Sequence, residues 1–360
     1  MTTLLVTDIT SYKAAVVVRH LRGCWPDVRV VTTDHRGYAR LIHTRYATDV
    51  RVLDCTPEDG ERYARALGEL VASEKVDVVI PVNSKEVRTL VDHRQYLGSA
   101  LDYMGPSDIY YQLDDKALFA QLLDKVGLPS PRCHRTLDVS LPLVVKPSQG
   151  SSAKGVNYVH SEEDRAALKT KLGLVPQGYV IQDFVNGEGI GFSGYFRNGQ
   201  PLVSYAHRRI GEYPTSGGSS VVRERYPYED LPELEALVAQ LLTVAPWSGF
   251  AMFELKRRGP NDFSFIECNP RIWGSMHQGL ADGCDYFAPM LGLGRTSIFP
   301  KSTAVRTALV PLNILAFAKY LLAGQPRKAF GVMANIWKQQ ADVQPLKDPL
   351  GFLALLLRGQ

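Results

Sequence analysis

Two apolar runs joined by a short polar turn constrain the fold most. Phe263-Ser264-Phe265-Ile266-Glu267-Cys268-Asn269-Pro270-Arg271 reads as an extended strand running out into a loop. Strand side chains alternate between faces, which puts Phe265, Glu267, Asn269 and Arg271 in one row. Gly249 to Lys256 reads as the preceding strand, and Arg257-Arg258-Gly259-Pro260-Asn261-Asp262 as the turn that makes the two a hairpin. Pairing across that turn brings Glu254 beside Glu267. Adjacent carboxylates repel unless a cation lies between them. A carboxylate, a carboxamide and a guanidinium on one face suit a divalent cation next to a phosphate chain. Mg²⁺ takes oxygen ligands and shares them with substrate phosphates, and Arg offers a fixed fork to phosphate oxygens.

The totals narrow the class. At 360 residues the chain is long enough for two or three domains, and 45% hydrophobic with 22% charged residues is ordinary for a globular protein. A net charge of +4 is too mild to imply nucleic acid but leaves anionic small molecules open. None of the cysteines, Cys24, Cys55, Cys133, Cys268 and Cys284, forms a C-x-x-C pair, so neither a disulfide framework nor a thiolate metal site is expected. The N-terminus leads straight into a strand without a signal peptide, and the apolar stretch Thr307 to Ala318 is too short to span a bilayer. A reduced, cytoplasmic protein is the simplest expectation.

Taken in order, the first hundred residues alternate strands and helices. Thr3 to Thr7, Val28 to Thr32 and Val76 to Pro81 read as strands; Lys13 to Leu21 and Pro57 to Ser73 read as helices. That order predicts a Rossmann-like parallel sheet covered on both faces. No G-x-G-x-x-G follows the first strand, where the turn is Asp8-Ile9-Thr10-Ser11, so a nicotinamide site is disfavoured. Gly105-Pro106 marks a boundary. Asp114-Asp115-Lys116 opens a helix to Val126 that Gly127-Leu128-Pro129 stops. On local grounds Lys116 is either solvent-exposed or turned to an anion. Lys146, alone in the aliphatic strand Leu143 to Pro147, must snorkel or meet an anion. The small residues and two glycines of Gln149 to Gly155 let backbone amides approach phosphate, although the G-K-[ST] ending of a Walker A loop is missing. The strand Val180 to Val185 and turn Asn186 to Gly189 suit a purine with Glu188 on its ribose, or simply begin a hairpin that turns at Asn198-Gly199. Within a loop expected from Arg208 to Ser220, the Gly217-Gly218-Ser219-Ser220 piece reads as mobile over a cleft, with Arg208 or Arg209 meeting a carboxylate or phosphate. Leu231 to Val244 reads as a helix. The apolar, basic tail from Val305 reads as helical, suited to docking on the body or to a homodimer contact.

These motifs resemble the ATP-grasp superfamily, in particular its carboxylate–amine (amino acid) ligases, over roughly Tyr103 to Leu291. The most specific match is Phe253-Glu254-Leu255 followed by Ile266-Glu267-Cys268-Asn269-Pro270-Arg271. The resemblance implies an α/β chain in three parts: a pre-ATP-grasp domain over 1–105, a two-subdomain α+β ATP-grasp fold over 106–180 and 181–300, and a helical extension over 301–360. It implies Glu254, Glu267 and Asn269 as ligands of Mg²⁺, or of Mn²⁺ in its place, with Arg271, Lys146 and Arg208 as catalytic groups. Lys116 and Lys146 would hold the α- and β-phosphates of ATP. Gly150, Ser151, Ser152 and Gly155 would fold over the nucleotide; Asp183, Phe184 and Val185 would border the adenine, and Glu188 would bind the ribose. The family usually has Glu where Asp183 stands, which matters little for a backbone contact. The implied activity joins a small-molecule carboxylate to an amine through an acyl phosphate, with specificity set around Asn83-Ser84-Lys85-Glu86 and in the Arg208 to Ser220 loop, and with no nucleic-acid partner and no membrane span. A phosphotransferase on the same scaffold and a non-catalytic ATP-binding regulator are the other expectations.

Overall fold

The computed structural model describes residues 2–42, 44–150, 153–215, 217–292 and 305–358. Ser151, Ser152 and Ser216 therefore lie outside the described residues. The first unit comprises β1 (Thr3–Val6), α1 (Tyr12–Cys24), β2 (Arg29–His35), β3 (Val50–Leu53), α2 (Glu61–Glu74), β4 (Val78–Ile80) and α3 (Ser84–Asp92). Its strands form a parallel sheet of order β3-β2-β1-β4. β1 is buried throughout, as a central parallel strand covered on both faces must be. Ser11 caps α1 by accepting from the Ala14 amide. The helix expected from Pro57 to Ser73 is interrupted: Pro57–Asp59 is a single 3₁₀ turn, and Gly60, at φ +57°, breaks it from α2.

The second unit comprises α4 (Ser107–Asp114), α5 (Lys116–Val126), β5 (Cys133–His134), β6 (Leu143–Pro147), β7 (Asn157–Val159), α6 (Glu162–Leu172) and β8 (Tyr179–Asp183). Its small antiparallel sheet runs β5-β8-β6-β7. Asp115 caps α5 through the Ala117 and Leu118 amides, and Gly127 closes it in the left-handed conformation.

The remainder comprises β9 (Glu188–Arg197), β10 (Gln200–Tyr213), β11 (Ser219–Arg225), α7 (Leu231–Val244), β12 (Gly249–Gly259), β13 (Asp262–Asn269), α8 (Met276–Ala281), α9 (Phe287–Met290), β14 (Arg306–Ala308), α10 (Leu312–Leu322), α11 (Pro326–Met333), β15 (Gln339–Ala341) and α12 (Pro349–Arg358). The strands form a large sheet of order β13-β12-β9-β10-β11-β14-β15. Asn198 and Gly199, both at positive φ, turn β9 into β10 as an Asn-Gly hairpin should. One face of this sheet shares a core with α4, α5 and α7, in which Phe253 and Phe265 meet edge to face and Trp247 is buried beside Tyr110.

Two expectations change. Arg208 to Ser220 is not a loop: β10 and β11 pair from His207↔Arg225 to Tyr213↔Ser219, and only the tip turns, where the Pro214 carbonyl accepts from the Gly218 amide at 2.7 Å. Bulges around Gly211 break the alternation that would have marked a strand. The tail from Val305 is not purely helical either, because β14 and β15 extend the sheet. Among the described residues, no helix is long and apolar enough to cross a membrane.

One buried ion pair fixes that tail. Arg223 on β11 donates to Asp342, just past β15, and both are fully buried. Asp342 also meets His277 Nδ1 at 3.0 Å, while its carbonyl accepts from Arg19 at 2.7 Å. Burial alone would raise the Asp342 carboxyl, but Arg223, His277 and Arg19 outweigh it and hold it low. Asp342→Ala should lower unfolding free energy by about 3–5 kcal/mol, because the Arg223 cation is then stranded. Equilibrium denaturant unfolding checks this, and an Arg223→Met/Asp342→Leu pair should recover most of the loss.

Candidate active site

A cleft of about 1600 Å³ runs between the C-terminal edge of the parallel sheet, the small antiparallel sheet and one face of the large sheet. Single-ligand sites commonly measure about 300–1,000 Å³, so this one has room for a nucleotide and a second molecule. Its floor is the β12–β13 hairpin. Glu254 and Glu267 stand directly opposite each other in register, as the sequence pairing predicts. Phe265 departs from the expected row. The register slips between Glu254↔Glu267 and Leu255↔Phe265, so Ile266 is bulged out. Phe265 consequently packs into the core with Phe253, while Glu267 and Asn269 line the cleft.

The bulge supplies the next contact. The Ile266 carbonyl accepts from Lys146 Nζ at 3.1 Å, which aims the buried ammonium of β6 at the hairpin. Lys116, buried rather than exposed, donates to the Gly150 carbonyl at 3.0 Å and stands 3.7 Å from Glu267. Asn269 Nδ2 donates to Glu267 at 3.3 Å and accepts through Oδ1 from Arg271. Arg271 is buried, donates to the Ile272 carbonyl at 2.8 Å, and leaves its Nε without a partner.

Arg209 and Arg208 divide by strand alternation. Arg209 pairs with Glu254 and stands 3.6 Å from Glu212. Arg208 is on the other face, bonded to Glu224, to Glu188 at 3.2 Å and to the Tyr228 hydroxyl at 3.0 Å. Arg208 does not line the cleft, so the arginine beside the carboxylate pair is Arg209 and not the Arg208 chosen from the sequence.

Electrostatics follow from burial. Desolvation lowers Lys146, partly offset by Glu267. Desolvation raises Glu254, against the pull of Arg209 and with the push of Glu267. Burial opposes ionisation of Glu267 as well, but Lys116, Lys146 and Arg209 together hold it below the usual range. Environments that drive paired carboxyls in opposite directions are characteristic of functional sites.

Of the residues expected around a nucleotide, Lys146, Asp183, Phe184, Val185 and Glu188 line the cleft. The amides of Asp183 and Phe184 are already bonded to the Arg132 and Pro142 carbonyls at 3.0 Å each, so an amide contact there falls to Val185. The Asp183 carboxylate is held by His134 Nε2 at 2.6 Å. Gly155 forms a turn at φ +77° against Pro147. Tyr12 went unread in the sequence: it lines the cleft at the start of α1, and a Cβ on Gly274 would fall 2.3 Å from its hydroxyl.

Residues 113–275 match the ATP-grasp domain. Solved structures with the same fold include the biotin carboxylase domain of Hydrogenobacter thermophilus 2-oxoglutarate carboxylase, in complex with MgADP, ADP and bicarbonate (14% identity, TM-score 0.61, 79% of this chain and 67% of that one). Residues 113–275 thus form an ATP-grasp domain. An L-amino acid ligase from Bacillus licheniformis is similar at 16% identity and TM-score 0.60, over 84% of this chain and 75% of that one. N5-carboxyaminoimidazole ribonucleotide synthetase from Thermotoga maritima is similar at 13% and 0.60, over 83% and 78%. No relative is found among curated proteins. The ATP-grasp domain thus extends from the end of α4 through the hairpin to the loop after Arg271, and this stretch carries every cleft residue of the acid–base cluster.

The Arg209–Glu254 contact yields a direct check. In Arg209→Met the groups left around Glu254, its own burial and Glu267, both disfavour ionisation. Glu254 should therefore titrate higher than in the wild type by carboxyl-carbon NMR; an unchanged titration would place Arg209 elsewhere.

Proposed function

We propose that this ATP-grasp protein is an ADP-forming carboxylate–amine ligase. The observation that carries this reading is the register-matched pair Glu254 and Glu267, ringed by Lys116, Lys146, Arg209 and Arg271, on the floor of a cleft large enough for two ligands. Binding alone does not call for two opposed carboxylates, whereas a cation shared with phosphates does.

The donor set fits Mg²⁺. Glu254, Glu267 and Asn269 offer hard oxygens on one wall. Among the described residues no three His, Cys, Asp or Glu side chains converge on one point, so the protein's share stops at two carboxylates and a carboxamide. Phosphate oxygens would complete the shell, the usual arrangement for a nucleotide-bound Mg²⁺. The ion would neutralise charge on the phosphate chain.

In the first step a carboxylate oxygen attacks the γ-phosphorus of ATP. The bond from that phosphorus to the bridging oxygen breaks, and ADP leaves with the electron pair. In the second, the amine nitrogen attacks the acyl carbon, the bond to the phosphate oxygen breaks, and the amine proton passes to solvent. No protein nucleophile takes part. Lys146 and Arg271 hold the phosphoryl oxygens, and Arg209 orients Glu254 from behind; these act by position and charge. Val185 and Phe184 border the base, with Glu188 on the ribose side.

The test is ADP release from Mg-ATP and a pool of amino acids and small carboxylic acids, with hydroxylamine present. ADP together with a hydroxamate is the expected result. ADP without hydroxamate would favour a phosphotransferase, and ATP binding without turnover a regulator. Glu267→Ala should abolish ADP release while the protein stays folded by circular dichroism. Arg209→Met should lower kcat by about 10²–10³-fold, the usual effect of deleting one preorganised charge partner, and Arg208→Met should lower it far less.

A further inference from the structure

The wall of the cleft opposite the acid–base cluster is built differently, and its chemistry points to an anion. The parallel sheet has the order β3-β2-β1-β4, so the chain moves away from β1 in one direction to β2 and in the other to β4. In open parallel sheets the crevice at such a reversal, outside the C-terminal strand ends, is where ligands bind. Here α1 follows β1 and α3 follows β4, so both helices begin at that crevice.

Three observations converge on the start of α3. Its first-turn amides have no acceptor within the helix and carry the positive end of its dipole. Ser84, the first residue of the helix, is 8% exposed and lines the cleft, yet its Oγ is buried without a hydrogen-bond partner. An orphaned buried hydroxyl is unfavourable and calls for a ligand. Finally, two ammonium groups flank it: Lys85 stands exposed on the cleft wall, and Lys13 Nζ reaches the helix cap, donating to Asn83 Oδ1 at 2.8 Å and to the Val82 carbonyl at 3.2 Å. Three of the acids nearby are already engaged, and Glu58, which also lines this wall, is exposed to solvent. Glu86 accepts from Thr7, Tyr63 and the Asn83 amide, and Asp34 from Thr10 and the His35 amide. Asp8 is bonded to Asn83 Nδ2.

The crevice and the acid–base cluster open into one cleft through consecutive residues of α1. Lys13 reaches Asn83, while Tyr12 packs against Gly274, three residues beyond Arg271.

We propose that the N-terminus of α3, through Ser84 Oγ, the Ser84 and Lys85 amides and the ammonium groups of Lys85 and Lys13, binds an anionic group of the small-molecule substrate, a carboxylate or phosphate separate from the carboxylate that is phosphorylated. This rests on the ligase reading above. The substrate it selects carries a second anionic group at the end remote from the reacting atoms.

Amide NMR of the full-length protein saturated with MgADP tests it, with inorganic phosphate and succinate as separate probes. The expected result is saturable movement of the Ser84 and Lys85 amides with at least one probe. Phosphate alone would assign the subsite to phosphate esters, and succinate alone to carboxylates. Ser84→Ala should weaken that probe about fivefold, the share of one hydrogen bond, and Lys85→Met should weaken it further, with MgADP affinity unchanged in both. If neither probe moves these amides, or if both variants bind the probe like the wild type, the subsite is overturned. Failure to bind MgADP would instead count against the ligase reading, since the probe titrations can be run without nucleotide.

Discussion

Two carboxylates face each other across neighbouring strands, and elements from α5 onward are arranged to make that tolerable. Like charges directly opposite in a sheet destabilise it. Glu254 and Glu267 persist because three other elements bring cations to them: β10 brings Arg209, α5 brings Lys116 and β6 brings Lys146. β10 belongs to the large sheet and β6 to the small one, so the cluster bridges the two. Such a network gives little stability. A buried pair at best about breaks even against apolar packing, and removing one partner costs about 3–5 kcal/mol. Stability of the fold therefore gives little reason to retain it, whereas the proposed phosphate-bound cation does.

The bulge at Ile266 shows how one irregularity serves several needs. Without it, strict alternation would put Phe265 in the cleft beside Glu267. With it, Phe265 turns into the core against Phe253 and Phe119, and the Ile266 carbonyl is left to hold Lys146. The hairpin thus anchors itself in an apolar core on one face while presenting charge on the other. The bulge is invisible in the sequence because it changes pairing and not composition.

That contrast runs through the chain. Elements with strong local signals were legible: the alternating first domain, the Asp115 and Gly127 caps of α5, the Asn198-Gly199 hairpin and the Glu254–Glu267 pairing. Elements defined by tertiary pairing were not. β14 and β15 are three residues each, too short for a pattern, and exist because β11 offers an edge to β14 and β14 offers one to β15. The extension of β10 and β11 was hidden by glycines and bulges, which made a paired hairpin look like a mobile loop. The choice between Arg208 and Arg209 depended on the phase of that strand, and phase is lost once a strand is misread as loop.

The same reasoning explains why the two walls of the cleft were unequally readable. Holding a cation and a phosphate chain needs particular side chains at particular spacings, and these leave a motif. Recognising a second small molecule needs a helix start, a strand reversal and one unsatisfied hydroxyl, and any Ser after any N-cap looks the same in sequence. Ser84 becomes distinctive only when β4 is seen to lie beside β1 on the side away from β2, which turns the start of α3 toward the cleft. The tail adds to that wall by the same route. β14 and β15 carry α10 and α11 to the cleft, where the Tyr320 hydroxyl accepts from the Glu212 amide at 3.2 Å and the exposed Arg327 and Lys328 line the rim. On the proposed reading, the region around Asn83 to Glu86 that the sequence already suggested for specificity acquires its chemistry from topology, which joins residues far apart in the chain.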